Sequence, residues 1–142
     1  MKTNKTKIMV FGTFDGVHLG HLNFFKQARG LTKTPFLIIS IARDVNVEKI
    51  KGEKPEFREA KRIKLVKETK LADKVILASK DKYLSHILKE KPDIIALGYD
   101  QKDYVKELKK DLKSKDIKIK IVRLKSYKKH IYKNHLLKGK NK

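Results

Sequence analysis

Residues 10–21 read "VFGTFDGVHLGH", and three local signals meet there. A hydrophobic run stops at Gly12, a second glycine follows at Gly16, and His18 and His21 stand three residues apart at the head of an apolar helical stripe. Read as strand, glycine turn and helix start, the stretch gathers unpaired backbone amides and the positive end of a helix dipole at one point. That is a natural seat for phosphate. Side chains at i and i+3 share a helix face, so both imidazoles can address one anion. Gly12 allows close main-chain approach, Gly16 and Gly20 keep side chains out of the way, and Thr13 offers a hydroxyl and an amide.

The commoner phosphate loops do not fit. There is no Gly-x-x-x-x-Gly-Lys-Ser/Thr run, and the glycines are not spaced as Gly-x-Gly-x-x-Gly. The two histidines lack a third ligand for zinc, and a His-Glu-x-x-His pattern is absent. With no cysteine in the chain, disulfides, thiolate metal sites and a cysteine nucleophile are excluded, and a cytoplasmic setting is expected. The apolar part of the N-terminal segment, "IMVFGTF", is too short for a signal sequence or a membrane span.

Working outward, apolar runs recur at 7–11, 36–41, 74–78, 93–97 and 117–124. The first four show little polar alternation, as expected of parallel strands covered on both faces. The fifth alternates lysine with isoleucine and reads as an edge strand guarded by its lysines. Between the runs the period becomes helical. Leu19, Leu22, Phe25 and Ala28 form one stripe, and Phe57, Ala60, Ile63 and Val66 a second. Leu84, Ile87 and Leu88 mark a third helix ending before Pro92, and Val105, Leu108 and Leu112 a fourth. Strands alternating with helices imply βαβ units and a mostly parallel five-stranded sheet flanked by helices, an α/β class. No linker or repeat divides the 142 residues, so one domain is expected, with 126–142 forming a short helix near 134–138 and a tail.

The formal charge is +21, which raises nucleic-acid binding as a possibility. Five of the 37 basic residues are arginine and the rest lysine, spread along almost the whole length. Evenly spread lysine reads as solvated surface, since arginine is the better fork for bases and phosphates. The field would also steer any small anionic substrate. Nucleic acid is therefore not favoured as partner, and no membrane is expected.

"GTFDGVHLGH" resembles the G-x-F-D-x-x-H-x-G-H signature of the cytidylyltransferase-like nucleotidyltransferases, and the resemblance extends over nearly the whole chain. "ARDVNVEKIKGEKP" is similar to the lysine-bearing loop after the second strand, "KLADKV" to the R-Y-V-D-x-V segment, and "ALGYDQ" to the G-x-D loop after the fourth strand. Within the family the chain looks most like the archaeal-type FAD synthases, and next like glycerol-3-phosphate cytidylyltransferases. The resemblance implies a Rossmann-like domain. It also implies transfer of a nucleotidyl group from ATP or CTP to a phosphorylated acceptor, FMN or glycerol 3-phosphate, with Mg²⁺ and in a homodimer. It implies that His18 and His21 bind the triphosphate and stabilise charge on the transferred phosphoryl group, and that Lys49 and Lys51 reach the phosphates from the loop after strand two. Gly12, Thr13, Phe14, Gly20, Gly98 and Asn134 would line the nucleotide. Asp15 would organise the loop or assist the metal, and Asp100 would accept hydrogen bonds near the ribose.

Two departures stand out. Lys70 and Leu71 replace the arginine and the aromatic residue of R-Y-V-D, while Asp73 is retained. The Ser/Thr-rich start of the family's C-terminal helix corresponds to "YKNHLLK", where Asn134 can cap a helix and His135 stands in a hydroxyl's place, as a phosphate contact or a surface residue. Phe24, Phe25 and Tyr99 either stack on a flavin or belong to the core. Three readings follow: FMN adenylyltransferase first, glycerol-3-phosphate cytidylyltransferase second, and a non-catalytic basic binder of nucleotides or RNA third.

Overall fold

The structure, a computed structural model, describes residues 5–78, 83–98, 101 and 105–125. In chain order the elements are β1 Thr6–Gly12, α1 Leu19–Arg29, β2 Pro35–Ile41, α2 Asp44–Lys51, α3 Glu59–Glu68, β3 Lys74–Leu77, α4 Tyr83–Glu90, β4 Ile94–Leu97, α5 Val105–Ser114 and β5 Lys120–Arg123. The strands lie side by side in the order β3-β2-β1-β4-β5, and every pairing is parallel. The chain runs outward from β1 through β2 to β3, then returns to the other side of β1 for β4. The order in which strands are added therefore reverses between β1 and β4, and ligands in such sheets bind at that switch point, beyond the carboxyl ends of the strands.

The apolar runs are continuous because both faces of the sheet are covered. Ile8, Val10, Leu37, Ile39 and Ile41 pack with Phe25 and Ala28 of α1 and Val66 of α3. Met9, Ile38, Ile95 and Leu97 pack on the opposite face with Ile87 of α4 and Leu108 and Leu112 of α5. Alternate residues of β2 thus serve different layers, and Ser40, the one polar residue of "FLIISI", is buried with them.

Two aspartates set the entry of strands. Asp93, just before β4, accepts the Lys7 N–H at 2.8 Å and donates its own N–H to the Lys7 carbonyl at 2.9 Å. Asp73 does the same before β3: its Oδ2 accepts from Leu37 N (2.8 Å) and its N–H reaches Leu37 O (2.9 Å). Asp73 Oδ2 also takes a 2.7 Å bond from Arg29 of α1. Burial pushes the Asp73 carboxyl up, but the Leu37 N–H and the Arg29 guanidinium outweigh it and hold the group below the usual carboxylate range. Asp73 is accordingly an anchor of β3. Lys70 is an exposed residue in left-handed conformation (φ 61°) just past α3, where it closes the helix.

Three expectations change. The segment after β2 is a helix of eight residues, α2, and not a loop. It ends at Gly52, whose φ of 79° is open to glycine at little cost and terminates the helix. Phe57 lies ahead of α3 and not on its apolar stripe. The fifth strand is confined to Lys120–Arg123, with Ile117 and Ile119 packing against the core before pairing begins. The helix expected near 134–138 lies outside the described residues.

Candidate active site

β1 delivers the chain to the crevice at Gly12. A Cβ there would lie 2.6 Å from Phe14 Cζ, because Phe14, at φ 50°, folds its ring back over the glycine. That ring is buried, edge-on to Phe25 (centroids 5.1 Å apart) and to His21 (5.2 Å). The space above Gly12 is thus occupied by the protein's own phenyl group, and Phe14 can offer a ligand main-chain atoms only. Phe25 is wholly buried and Phe24 packs against the same cluster, so neither is placed as a stacking platform; Tyr99 lies outside the described residues.

The chain then turns through Asp15 and Gly16. Asp15 Oδ1 accepts the Phe57 N–H at 2.7 Å and Oδ2 the Glu56 N–H at 2.6 Å. One carboxylate therefore clamps the β1–α1 loop to the segment entering α3. Gly16 has φ 94°, and a Cβ on it would touch the Phe57 ring at 3.4 Å. Of the two roles open to Asp15, loop organisation is the one these bonds serve.

His18 is the N-cap of α1. Its Nδ1 accepts the Gly20 N–H at 3.0 Å, and His21 Nδ1 accepts the His18 N–H at 3.3 Å. This reciprocal capping box is built from two imidazoles where Ser/Thr and Glu/Gln are usual. Occupation of both Nδ1 atoms as acceptors places the proton of each neutral ring on Nε2. The rings stack with centroids 3.8 Å apart and 23° between planes. Burial holds the His18 pKa below the ordinary imidazole value, favouring the neutral ring. Gly20 is needed for the same arrangement, because a Cβ would lie 2.8 Å from His18 Cε1. No acidic residue sits in the first turn of α1 to oppose an anion.

Lys49 and Lys51 are exposed in the last turn of α2. Two residues apart on a helix, their side chains leave the axis about 200° apart and do not converge. Val47 is the buried residue of α2; by helix periodicity Lys51 stands nearer to it than Lys49 does, and both lysines are exposed. The segment that carries both lysines is a helix and not the expected loop, so the two side chains leave it in different directions.

Across the crevice, Gly98 follows β4. Its N–H donates to Gln101 Oε1 (2.7 Å) and Gln101 Nε2 donates to Phe11 O (2.8 Å). One side-chain amide thereby spans the ends of β4 and β1 at the reversal point. Arg123, at the end of β5, donates to Gly98 O at 2.8 Å. Asp100 and Asn134 lie outside the described residues.

The sequence reading missed Gln101, Arg123 and above all Arg62. Arg62 is fully buried on α3 and donates to Phe57 O (2.9 Å), Thr13 O (2.9 Å) and Asp44 Oδ1 (2.6 Å). The available signal was an arginine beside the second helical stripe in a lysine-dominated chain.

The cytidylyltransferase-like family model matches residues 9–136. The chain belongs to the cytidylyltransferase-like family. Among curated relatives it is 39% identical over 106 residues to the FAD synthase of Thermoplasma acidophilum, covering 75% of this chain and 72% of that one. It is 37% identical over 113 residues to the FAD synthase of Thermococcus sibiricus, covering 79% and 75%. Among solved structures, a Thermoplasma volcanium protein described as a lipopolysaccharide core biosynthesis protein superposes with TM-score 0.78 at 36% identity, over 86% of this chain and 98% of the other. A Francisella tularensis pantoate-β-alanine ligase shares the fold at TM-score 0.58 and 17% identity, over 87% and 60%. The family members' signature and the crevice therefore coincide: the G-x-F-D-x-x-H-x-G-H stretch is the turn and helix cap just described.

Proposed function

We propose that the protein is an FAD synthase, transferring the adenylyl group of ATP to FMN. An FMN phosphate oxygen attacks the α-phosphorus in line; the new bond forms there, the α-phosphorus–oxygen bond to the β-phosphate breaks, and pyrophosphate leaves with that electron pair. Such a transfer asks the protein for positioning and electrostatic stabilisation, with no covalent intermediate.

The observation that carries this reading is the paired imidazole cap of α1 at the reversal point of the sheet. In this reading the Nε2–H groups of His18 and His21 donate to oxygens of the reacting phosphates, where negative charge grows as the leaving bond lengthens. The amides of the α1 N-terminus serve the same charge, and Lys51 adds a cation from α2. Gly98 and Gln101 define the opposite wall, and the roles of Asp100 and Asn134 at the nucleotide belong to the proposal. The FAD synthase names of the relatives support ATP as donor and FMN as acceptor.

Magnesium is the divalent ion the reading expects. Both Asp15 oxygens are engaged by main-chain amides, and no group of three or more His, Cys, Asp or Glu converges among the described residues. Each carboxylate oxygen accepts one amide and keeps a second lone pair, so in this reading Asp15 clamps the loop and would also assist a Mg²⁺ ion brought in with the nucleotide phosphates.

The test is a small matrix of ATP or CTP against FMN or glycerol 3-phosphate, following pyrophosphate and product by chromatography. Pyrophosphate and FAD in equal amounts from ATP with FMN alone are expected. Turnover of CTP with glycerol 3-phosphate, and none of ATP with FMN, overturns the reading.

A further inference from the structure

Arg62 has no exposed surface, yet it carries a full charge and three hydrogen bonds to three different segments. Thr13 O belongs to the β1–α1 loop, Phe57 O to the stretch that Asp15 clamps, and Asp44 Oδ1 to the first residue of α2. Glu59, from the same helix as Arg62, accepts the Asp44 N–H at 2.9 Å. The N-terminus of α2 is thus pinned by α3 at two points, and one guanidinium measures the spacing between α2 and the loop that leads to His18.

Stability alone does not call for this arrangement. Buried ion pairs are commonly replaced by apolar residues of similar volume at little or no loss of stability. An apolar side chain at 62 alone would take this donor from Phe57 O, Thr13 O and Asp44 Oδ1. What an apolar residue cannot do is hold Thr13, Phe57 and Asp44 at fixed separations, because only a planar fork addresses three acceptors from one centre.

We propose that Arg62, with Asp44 as its partner, is the positioning residue that sets the reach of Lys51 on α2 toward phosphates held at the His18–His21 cap. The inference rests on the adenylyl-transfer reading for its kinetic arm only. α2 is a short helix with one buried side chain, Val47, so its placement depends on its ends. Its C-terminal end closes with the Gly52 N–H on Glu48 O, and the chain beyond it is held at Phe57 O by Arg62 itself. The guanidinium thus ties the Asp44 end of α2 to the segment that follows it, and a small shift at Arg62 moves the lysines between them. A displacement of about 1 Å in a phosphate contact is enough to lower turnover by up to about 10²-fold.

The experiment is a double-mutant cycle with Arg62→Lys and Lys51→Ala, read as kcat/KM with ATP and FMN and as amide exchange of α2. Lysine keeps the charge but reaches one acceptor in place of three. Arg62→Lys is expected to lower kcat/KM about tenfold or more in the parent and to have little further effect in the Lys51→Ala background. It should also speed exchange of α2 amides while those of β1 and β2 stay protected. Independent, multiplying losses overturn the proposal, as does wild-type kcat/KM in Arg62→Lys. If the parent protein shows no turnover, the function reading fails separately, and exchange decides: unchanged α2 protection in Arg62→Lys and in Arg62→Met overturns the positioning role, whereas selective loss supports it.

Discussion

The imidazoles of His18 and His21 stack 3.8 Å apart, and each uses Nδ1 to accept a main-chain N–H of the first turn of α1. The two functions of a helix N-terminus, capping and anion binding, are therefore divided between the two nitrogens of each ring. One nitrogen satisfies the helix and thereby fixes the other as a donor.

That division separates by mutation. In His18→Asn the amide oxygen takes the place of Nδ1 and keeps the cap, but nothing replaces Nε2–H. His18→Ala loses both. Turnover should fall by roughly 10²-fold in each, while thermal stability should drop by about 1 kcal/mol in the alanine variant only. A His18→Asn protein that turns over at the parent rate removes the donor role.

The glycines of the loop should respond in different ways. Alanine is favoured over glycine in a helix by up to about 1 kcal/mol, which offsets the cap lost as His18 turns away, so Gly20→Ala is expected to leave stability about level. Its Cβ, 2.8 Å from His18 Cε1, must turn the imidazole away, so turnover should fall alongside. Gly12→Ala meets the Phe14 ring at 2.6 and 2.7 Å. Displacing a core phenyl should cost about 1–3 kcal/mol in urea unfolding. If Gly12→Ala proves as stable as the parent, Phe14 does not lock the turn.

The sheet was legible because its strands are apolar on both faces and its helices carry one stripe, so period and length point the same way. The opening motif was legible because its glycines and histidines sit at fixed spacing in a chain with few of either. α2 was not, because "DVNVEKIK" buries only Val47 and offers no stripe to read. Arg62 was hidden for a related reason: its partners are two carbonyls and one carboxylate brought together only by the fold. That the Phe14 ring belongs to the core was not legible either, because it follows from a left-handed backbone that no pattern announces; its main-chain atoms stay at the loop.

Gln101 gives a prediction at the opposite wall. Its amide bonds Gly98 N and Phe11 O across the reversal point, and the residue is half-buried at the crevice edge. Gln101→Ala frees both strand ends, at a stability cost of about 1 kcal/mol. Widening of the crevice should raise KM for ATP several-fold. Gln101→Glu offers no donor to Phe11 O and should behave similarly; if both variants keep the parent KM, the bridge is only structural.

His86 on α4 bears on stability and not on the reaction. It is 9% exposed, its Nε2 has no hydrogen-bond partner among the described residues, and burial lowers its pKa from 6.5. Glu90, itself paired with Lys74 at 2.8 Å, opposes the shift, while Lys89, Lys74 and Arg43 add to it. A histidine whose folded pKa is depressed takes up its proton more readily when unfolded, so the protein is at full stability above about 6.5 and loses stability as pH falls below that value. Burial lowers the His18 pKa in the same direction. The carboxylates Asp44 and Asp73, both lowered from 3.8, lose their contribution only below that much more acidic value. Urea midpoints at pH 7.5 and 5.5 should therefore differ, with the lower pH less stable, and His86→Leu should narrow the difference to the part that His18 supplies. An unchanged pH difference in His86→Leu assigns the proton uptake elsewhere, whereas a flattened profile with parent-like turnover at pH 7.5 places it on α4, apart from the histidines of the cap.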